Sequence, residues 1–146
     1  MKYKKVAVGG SFDIIHKGHV ALLDRAFDAG EFVLVGLTSN EMLEKDARPF
    51  EERKKALVDF LKNKGQYEII ELTDAFGPAT SDPAIEAIVV SEETKPGALK
   101  INEIRKKNGL ETLDIISIPL VLASDGKPIS STRVRREEID RDGRSS

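Results

Sequence analysis

The stretch GGSFDIIHKGH, residues 9–19, contains both histidines of this 146-residue chain. The apolar run KKVAVGG, residues 4–10, leads into it, and apolar residues at helical spacing follow Lys17. The stretch therefore predicts a strand that ends in a glycine loop and then enters a helix. It matches neither the dinucleotide fingerprint G-x-G-x-x-G nor a phosphate loop ending in Gly-Lys-Ser/Thr.

The rest of the chain alternates between strand-like and helix-like patterns. Four further apolar runs predict strands: FVLVGL (32–37), YEIIEL (67–72), AIVVS (87–91) and LDIISIPLVL (113–122). Helical spacing is found from Lys17 to Gly30, from Pro49, from Pro96 to Asn108, and from about Ser131 to Ile139. Buried strands that alternate with helices predict an α/β protein with a Rossmann-like, doubly wound, parallel five-stranded sheet and helices on both faces. We expect residues 1–146 to form one domain, with a flexible tail from about residue 141 to 146.

Composition limits the possible functions. Hydrophobic residues make up 40% of the chain and charged residues 33%, and the formal net charge is -2. This balance argues against a general nucleic-acid surface, and the absence of cysteine excludes disulfides and thiolate metal sites. No apolar run approaches the length of a membrane span or a signal peptide. We therefore expect a cytoplasmic protein with no nucleic-acid or membrane partner; the pattern predicts no particular oligomeric state.

The first motif has the residue types of a phosphate-binding loop. In open parallel sheets, ligands bind beyond the carboxyl ends of the strands, which is where Gly9 and Gly10 are expected. Their unhindered amides can approach a ligand closely, and His16 and His19 can share one face of the helix that follows. Gly18 leaves space for a flat ring, and no usual capping residue precedes Lys17, so we expect free helix amides that a phosphate could occupy.

Two other interpretations of the histidine pair remain. The rings could bind a metal ion, but zinc would need at least a third ligand at a recognisable spacing, and none is evident. They could also be solvated loop residues. The glycines and the position between strand and helix favour phosphate binding over both.

The second motif is KPISSTRVRR, residues 127–136. Hydroxyl side chains precede a predicted helix, and three arginines lie in its first turns, against the preference of the helix dipole for acidic residues there. Hydroxyls and guanidinium groups together suit a polyphosphate. The alternative is an ordinary capped surface helix with scattered charge.

Both motifs resemble those of a known superfamily. HKGH, residues 16–19, matches the H-x-G-H motif of the nucleotidyltransferases, and ISSTRVR, residues 129–135, matches their I-S-S-T-x-x-R motif. The segments DAFGPATSD (74–82), EAIVVSEETKPGALKINEIRKKNGL (86–110) and RREEIDRDGR (135–144) resemble the archaeal and eukaryotic branch of the phosphopantetheine adenylyltransferases. The similarity covers essentially the whole chain.

This resemblance implies a reaction and a set of site residues. ATP and 4'-phosphopantetheine would give dephospho-coenzyme A and pyrophosphate, with Mg²⁺ carried by ATP, no protein metal site and no organic prosthetic group. The implied catalytic residues are His16, His19 and Lys45, with Arg48 as a competing candidate for the role of Lys45. The implied ATP-binding residues are Gly9, Gly10, Ser11, Phe12, His16, Gly18, His19, Ser91, Glu92, Ser130, Ser131, Thr132 and Arg135. The implied phosphopantetheine-binding residues are Ser11, Thr38, Lys45 and Asp74.

Other functions stay open at this point. A related transferase, such as an FAD synthetase or a glycerol-3-phosphate cytidylyltransferase, would share the opening motif, although the match through residues 86–110 argues against it. A non-catalytic nucleotide-binding module would be a protein of a different class. The retention of both phosphate motifs argues against that interpretation.

Overall fold

The computed structural model describes residues 2–43, 47–74, 76–130, 133–134 and 136–144. These residues form five strands, namely β1 (Tyr3–Gly10), β2 (Gly30–Thr38), β3 (Gln66–Leu72), β4 (Ala87–Ser91) and β5 (Asp114–Ile118). The helices are α1 (Lys17–Ala29), α2 (Phe50–Leu61) and α3 (Lys95–Lys107), with short 3₁₀ turns at Asn40–Met42 and Gly77–Thr80. None of the described helices is long and apolar enough to cross a membrane.

The five strands form one sheet in the order β3-β2-β1-β4-β5, and every pairing is parallel. The chain builds outward from β1 to β3, then crosses back to place β4 on the other side of β1. The direction of winding therefore reverses between β1 and β4, and such a reversal opens a crevice at the carboxyl ends of the strands. The predicted Rossmann-like fold class is confirmed.

Helices cover both faces of the sheet. On one face, Leu23 of α1 and Leu57 of α2 pack with β-branched residues of β1 and β2, and all of these side chains are buried. On the other face, Ile101 of α3 packs against Leu34 and Ile88. The apolar stripes predicted for the three helices are the surfaces that meet the sheet.

The fifth strand is shorter than the predicted range 113–122. It ends at Ile118 because Pro119 has no N–H to continue the ladder. The chain then forms a tight turn, in which Ala123 N–H donates to the Lys127 carbonyl at 2.7 Å and Ile129 N–H donates to the Val121 carbonyl at 3.1 Å. This turn brings the second motif back towards the sheet edge.

The last helix, predicted from about Ser131 to Ile139, is wrong in its extent. Arg133 and Val134 are helical, but the turn ends at Glu137, whose φ of 61° is left-handed. Glu138 N–H donates to the Arg133 carbonyl, and Glu137 N–H to the Val134 carbonyl, which is the pattern of a Schellman C-cap. Ile139 lies beyond it as a buried residue.

The described part of the predicted tail, residues 141–144, contacts the body of the protein. The Arg141 carbonyl accepts from Lys17 N–H at 2.8 Å, and the Gly143 carbonyl accepts from Ser124 N–H at 2.7 Å. The first hydrogen bond ties the carboxyl-terminal segment to the first residue of α1.

Candidate active site

A cavity of about 430 Å³ lies at the carboxyl ends of β1, β4 and β5. The first motif contributes Gly9, Gly10, Ser11, Asp13, His16, Gly18, His19 and Leu22. Later segments contribute Met42, Leu43, Ala47, Ser91, Glu93, Thr94, residues 118–121, Ile129 and Ser130. Its volume is in the range of small-molecule sites, and it occupies the point where the winding reverses. Both sequence motifs therefore line one cavity.

The start of α1 is capped by a histidine. His16 is the N-cap residue, and its Nδ1 accepts from Gly18 N–H at 3.0 Å. In return, His16 N–H donates to Nδ1 of His19 at 3.3 Å. Lys17 N–H donates to the Arg141 carbonyl. The expectation of uncapped helix amides is therefore wrong, because side-chain and backbone acceptors inside the protein satisfy them.

These hydrogen bonds fix the tautomers of both rings. A backbone N–H can only donate, so Nδ1 of His16 and of His19 must be an acceptor, and the proton of each neutral ring lies on Nε2. Among the described residues, Nε2 of His16 has no protein partner, although the residue is 94% buried and lines the cavity. A buried donor without a partner marks a place where a ligand oxygen can bind.

Burial keeps the histidine pair neutral. It lowers the pKa of His16 to about 4. It also lowers the pKa of His19 to about 3, and the neighbouring His16 adds to this effect, whereas the Ile14 backbone and the Asp13 carboxylate oppose it. The two rings stack with centroids 3.8 Å apart, too close to accommodate two positive charges. At pH 7 both rings are therefore neutral, and the Nε2–H of His16 is the donor that the pair offers to the cavity, because the His19 ring already hydrogen-bonds with the Ile14 backbone.

Gly18 is required by the histidine cap itself. A Cβ at this position would lie 2.9 Å from Cε1 and 3.1 Å from Nδ1 of His16. Sequence analysis predicts that Gly18 leaves space for a ligand ring, but in the structure the His16 ring occupies this space.

Ser130 caps the turn of the second motif. Its Oγ accepts from Arg133 N–H at 3.2 Å, which leaves the hydroxyl proton for a ligand in the cavity. Arg133 itself forms an ion pair with Asp125 and donates to the Pro128 carbonyl at 3.0 Å. This ion pair lowers the pKa of Asp125. Arg133 thus holds the turn before Ser130, and its guanidinium is engaged by groups of the protein.

The other residues predicted to bind ATP do not all line the cavity. Ser91 lines the cavity, but Glu92 does not; Glu93 and Thr94 take its place. Phe12 is fully buried with a left-handed φ of 43°, and its ring lies 5.0 Å from that of His19. Phe12, predicted to bind ATP, therefore does not line the cavity; its ring packs behind the histidine pair.

Thr38 and Asp74, predicted for phosphopantetheine, lie outside the lining of this cavity. The Asp74 carboxylate accepts from Gly77 N–H and Phe76 N–H, and these hydrogen bonds lower its pKa. Asp74 is thus committed to its own turn. Four further predicted residues lie outside the described residues: Lys45, Ser131, Thr132 and Arg135.

Sequence reasoning missed two buried polar residues beside the site. Asp13 lines the cavity, is 1% exposed, and accepts from the N–H of Arg48 at 2.9 Å and from its Nε at 3.4 Å. This pairing holds the Arg48 guanidinium against the first motif. Arg53 is fully buried behind the same loop. Its spacing from Leu57 and Leu61, four and eight residues on, was a readable sign that it lies on the buried stripe of α2.

The fold and the site define a nucleotidyltransferase-like α/β protein, with paired imidazoles and a capping serine at the switch point of a parallel sheet. More specifically, the chain belongs to the Cytidylyltransferase-like family, whose model matches residues 7–137.

Two relatives of this chain are named phosphopantetheine adenylyltransferases, and one similar solved structure is of unknown function. A phosphopantetheine adenylyltransferase of Methanothermobacter thermautotrophicus is 50% identical over 143 residues, covering 95% of this chain and 87% of the relative. One from Thermococcus kodakarensis is 46% identical over 150 residues, covering 98% and 91%. A solved structure of an Archaeoglobus fulgidus protein of unknown function is 32% identical with a TM-score of 0.72, covering 78% of this chain and 88% of that one. The resemblance inferred from the motifs is confirmed.

The neutral state of the histidines can be tested by NMR, because the chain has only two. With pKa values of about 4 and 3, neither ring signal should titrate between pH 8 and 5.5 in the ligand-free protein. Unfolded chains bind these protons near pH 6.5, so the same shifts lower the folding stability as the pH falls from 6.5 towards 4. A ring that titrates between pH 6 and 7 in the folded protein would contradict this account.

Gly18→Ala tests the histidine cap. The new Cβ should displace the His16 ring, raise its pKa towards 6.5 and remove a cap of about 1 kcal/mol. Gly97→Ala in α3 is the matched control, because a Cβ there meets nothing within 4 Å and the alanine should stabilise the helix by about 0.5–1 kcal/mol. Tm and the NMR titration of His16 measure both effects. The idea is wrong if Gly18→Ala raises Tm as much as the control does and leaves the pKa of His16 unchanged.

Proposed function

We propose that this protein transfers the adenylyl group of ATP to 4'-phosphopantetheine, producing dephospho-coenzyme A and pyrophosphate. The observation that carries the proposal is the meeting of the His16–His19 pair and Ser130, from opposite ends of the chain, in one cavity. Relatives of 46% and 50% identity over nearly the whole chain are named for this activity. They distinguish this reaction from that of an FAD synthetase or a cytidylyltransferase with the same opening motif.

The chemistry needs positioning and charge stabilisation more than proton transfer. An oxygen of the phosphopantetheine phosphate attacks the α-phosphorus of ATP in line, and the bond from that phosphorus to the bridging oxygen of the pyrophosphate breaks. The attacking oxygen is already anionic at pH 7, so no general base is required. Fixed N–H and O–H donors aimed at the phosphoryl oxygens are what this step uses.

The described residues can supply such donors. Nε2–H of His16 donates to a phosphate oxygen of ATP, and the stacked His19 ring lies beside the transferred group. The Ser130 hydroxyl donates to the departing pyrophosphate end. In this proposal Lys45, Ser131, Thr132 and Arg135 have the roles that the family resemblance implies: Lys45 bridges the two substrates, and the others hold the β- and γ-phosphates.

The acceptor lies on the β2 side of the site in this proposal. Ser11 follows β1 and Thr38 ends β2, next to each other at the sheet edge. A second, apolar cavity of about 70 Å³ lies beside these strand ends on the α3 face. Its lining includes Gly36, Leu72 and Pro78, an apolar surface that can contact part of the uncharged pantetheine arm but is too small to enclose it.

Mg²⁺ is proposed to enter with ATP, where it would neutralise charge on the phosphates. Asp13 and Glu93 are the carboxylates in the cavity lining, and the described part of the chain contains no group of three or more residues that could hold a metal ion. Phosphate oxygens and water would therefore provide most of its ligands. A cytoplasmic location and the absence of nucleic-acid and membrane partners stay predictions.

A pyrophosphate-release assay tests the proposal. ATP, CTP and GTP are each combined with phosphopantetheine, FMN and glycerol 3-phosphate, with Mg²⁺ present. We expect release only with ATP and phosphopantetheine. His16→Ala should lower kcat by about 10²–10³, because one fixed donor to the ATP phosphates is lost.

Other outcomes of this assay have definite meanings. Release with ATP and FMN, or with CTP and glycerol 3-phosphate, would assign a different transferase activity. No release with any pair, together with measurable nucleotide binding, would indicate a non-catalytic nucleotide-binding module. Full activity in His16→Ala would show that the reaction does not use this donor.

A further inference from the structure

Arg53 lies in the first turn of α2, and its guanidinium is completely buried. Nε donates to the Arg48 carbonyl at 2.8 Å, and Nη1 donates to the Ser11 carbonyl at 3.0 Å. The same Nη1 lies 3.5 Å from Oγ1 of Thr38, and Nη2 donates to Oδ1 of Asn40 at 3.3 Å. One side chain thus binds three segments of the sheet edge: the loop after β1, the end of β2 with its following turn, and the residues before α2.

The acceptors around Arg53 are neutral, so stability alone does not explain the residue. Burial lowers the pKa of the guanidinium, with the nearby Asp13 acting in the opposite direction, yet a guanidinium stays charged in proteins. A buried charge whose hydrogen-bond partners are neutral gains little net stability over an apolar side chain of similar volume. The planar guanidinium, whose donors point in fixed directions, does set the relative positions of groups on separate segments.

We propose that Arg53 is a positioning residue that sets the separation of Ser11 and Thr38, and with it the place of the acceptor phosphate. This inference rests on the proposed function, in which these two residues face phosphopantetheine. The described groups on the nucleotide side, His16, His19 and Ser130, make no hydrogen bond with Arg53. Ser11 also lines the cavity proposed for ATP, but Arg53 holds its carbonyl and not its hydroxyl. The loss of Arg53 should therefore act mainly on the acceptor.

The other buried arginine among the described residues, Arg105, serves as a comparison, because its hydrogen bonds have only a structural role. Arg105 donates only to backbone carbonyls, those of Glu111, Ala79 and Asp82, on the α3 face of the sheet. Arg53 differs because its partners include a hydroxyl and an amide side chain, and because one partner, Ser11, lines the main cavity.

Steady-state kinetics of Arg53→Lys and Arg53→Gln test the proposal. Lysine keeps the charge but offers a single donor point, so it cannot reach acceptors on three segments at once. We expect KM for phosphopantetheine to rise at least about tenfold in both variants and KM for ATP to change by less than about twofold, because displacement of one substrate costs binding of that substrate. If Arg53→Gln does not fold, Arg53→Lys carries the test, with Tm and circular dichroism as checks on folding.

Leu57→Val is the matched control. Leu57 lies one turn further along α2, is equally buried and belongs to the core on that face. This variant should lower Tm, with both KM values unchanged. The inference fails if the Arg53 variants behave like Leu57→Val, or if both KM values rise together.

Pyrophosphate release by the wild-type protein distinguishes a failure of this inference from a failure of the proposed function. If it releases pyrophosphate with another acceptor and not with phosphopantetheine, the proposed function is wrong, and the same KM comparison is made with that acceptor. A selective rise in its KM then supports the positioning role, and an unchanged KM overturns it. If the wild type releases no pyrophosphate with any acceptor, both proposals fail.

Discussion

The hydrogen bond from Gly18 N–H to Nδ1 of His16 is the constraint on which the rest of the site depends. It makes the first histidine the cap of α1, forbids a side chain at position 18 and forces the His16 proton onto Nε2. The reciprocal bond from His16 N–H does the same for His19 and stacks the two rings. The spacing of the two histidines, with glycine directly before the second, is thus a structural requirement as well as a binding motif.

The sheet topology supplies the second half of the site. Because winding reverses between β1 and β4, the loops that follow these strands diverge and leave a cavity between them. The carboxyl-terminal segment returns to this cavity through the turn after β5, and the Arg141 carbonyl fastens it to the first amide of α1. The histidine pair and Ser130 are therefore held by the same framework, although more than a hundred residues separate them. Such an arrangement orders donors before any ligand arrives, which is what electrostatic stabilisation requires.

Much of this architecture was predictable from local pattern. The apolar runs that alternate with helical stripes predicted the parallel sheet, and the two motifs predicted the residues that meet at the cavity. Three features were missed, each for a specific reason. Histidine is not among the usual N-cap residues, so the cap was missed. Glu137 takes the left-handed position where glycine is expected, so the last helix was drawn too long. Arg53 and Arg105 lie on the apolar stripes of α2 and α3, and their burial was missed because arginine side chains are mostly exposed.

The central claim is that the neutral Nε2–H of His16, and not the helix amides, meets the nucleotide phosphates. A crystal structure with a non-hydrolysable ATP analogue tests it most directly. The account predicts phosphate oxygens within about 2.7–3.2 Å of Nε2 of His16, with the bond from Gly18 N–H to Nδ1 intact. It would be contradicted if the His16 ring swung away and the Gly18 amide bound phosphate directly, or if the triphosphate lay outside the cavity shared with Ser130.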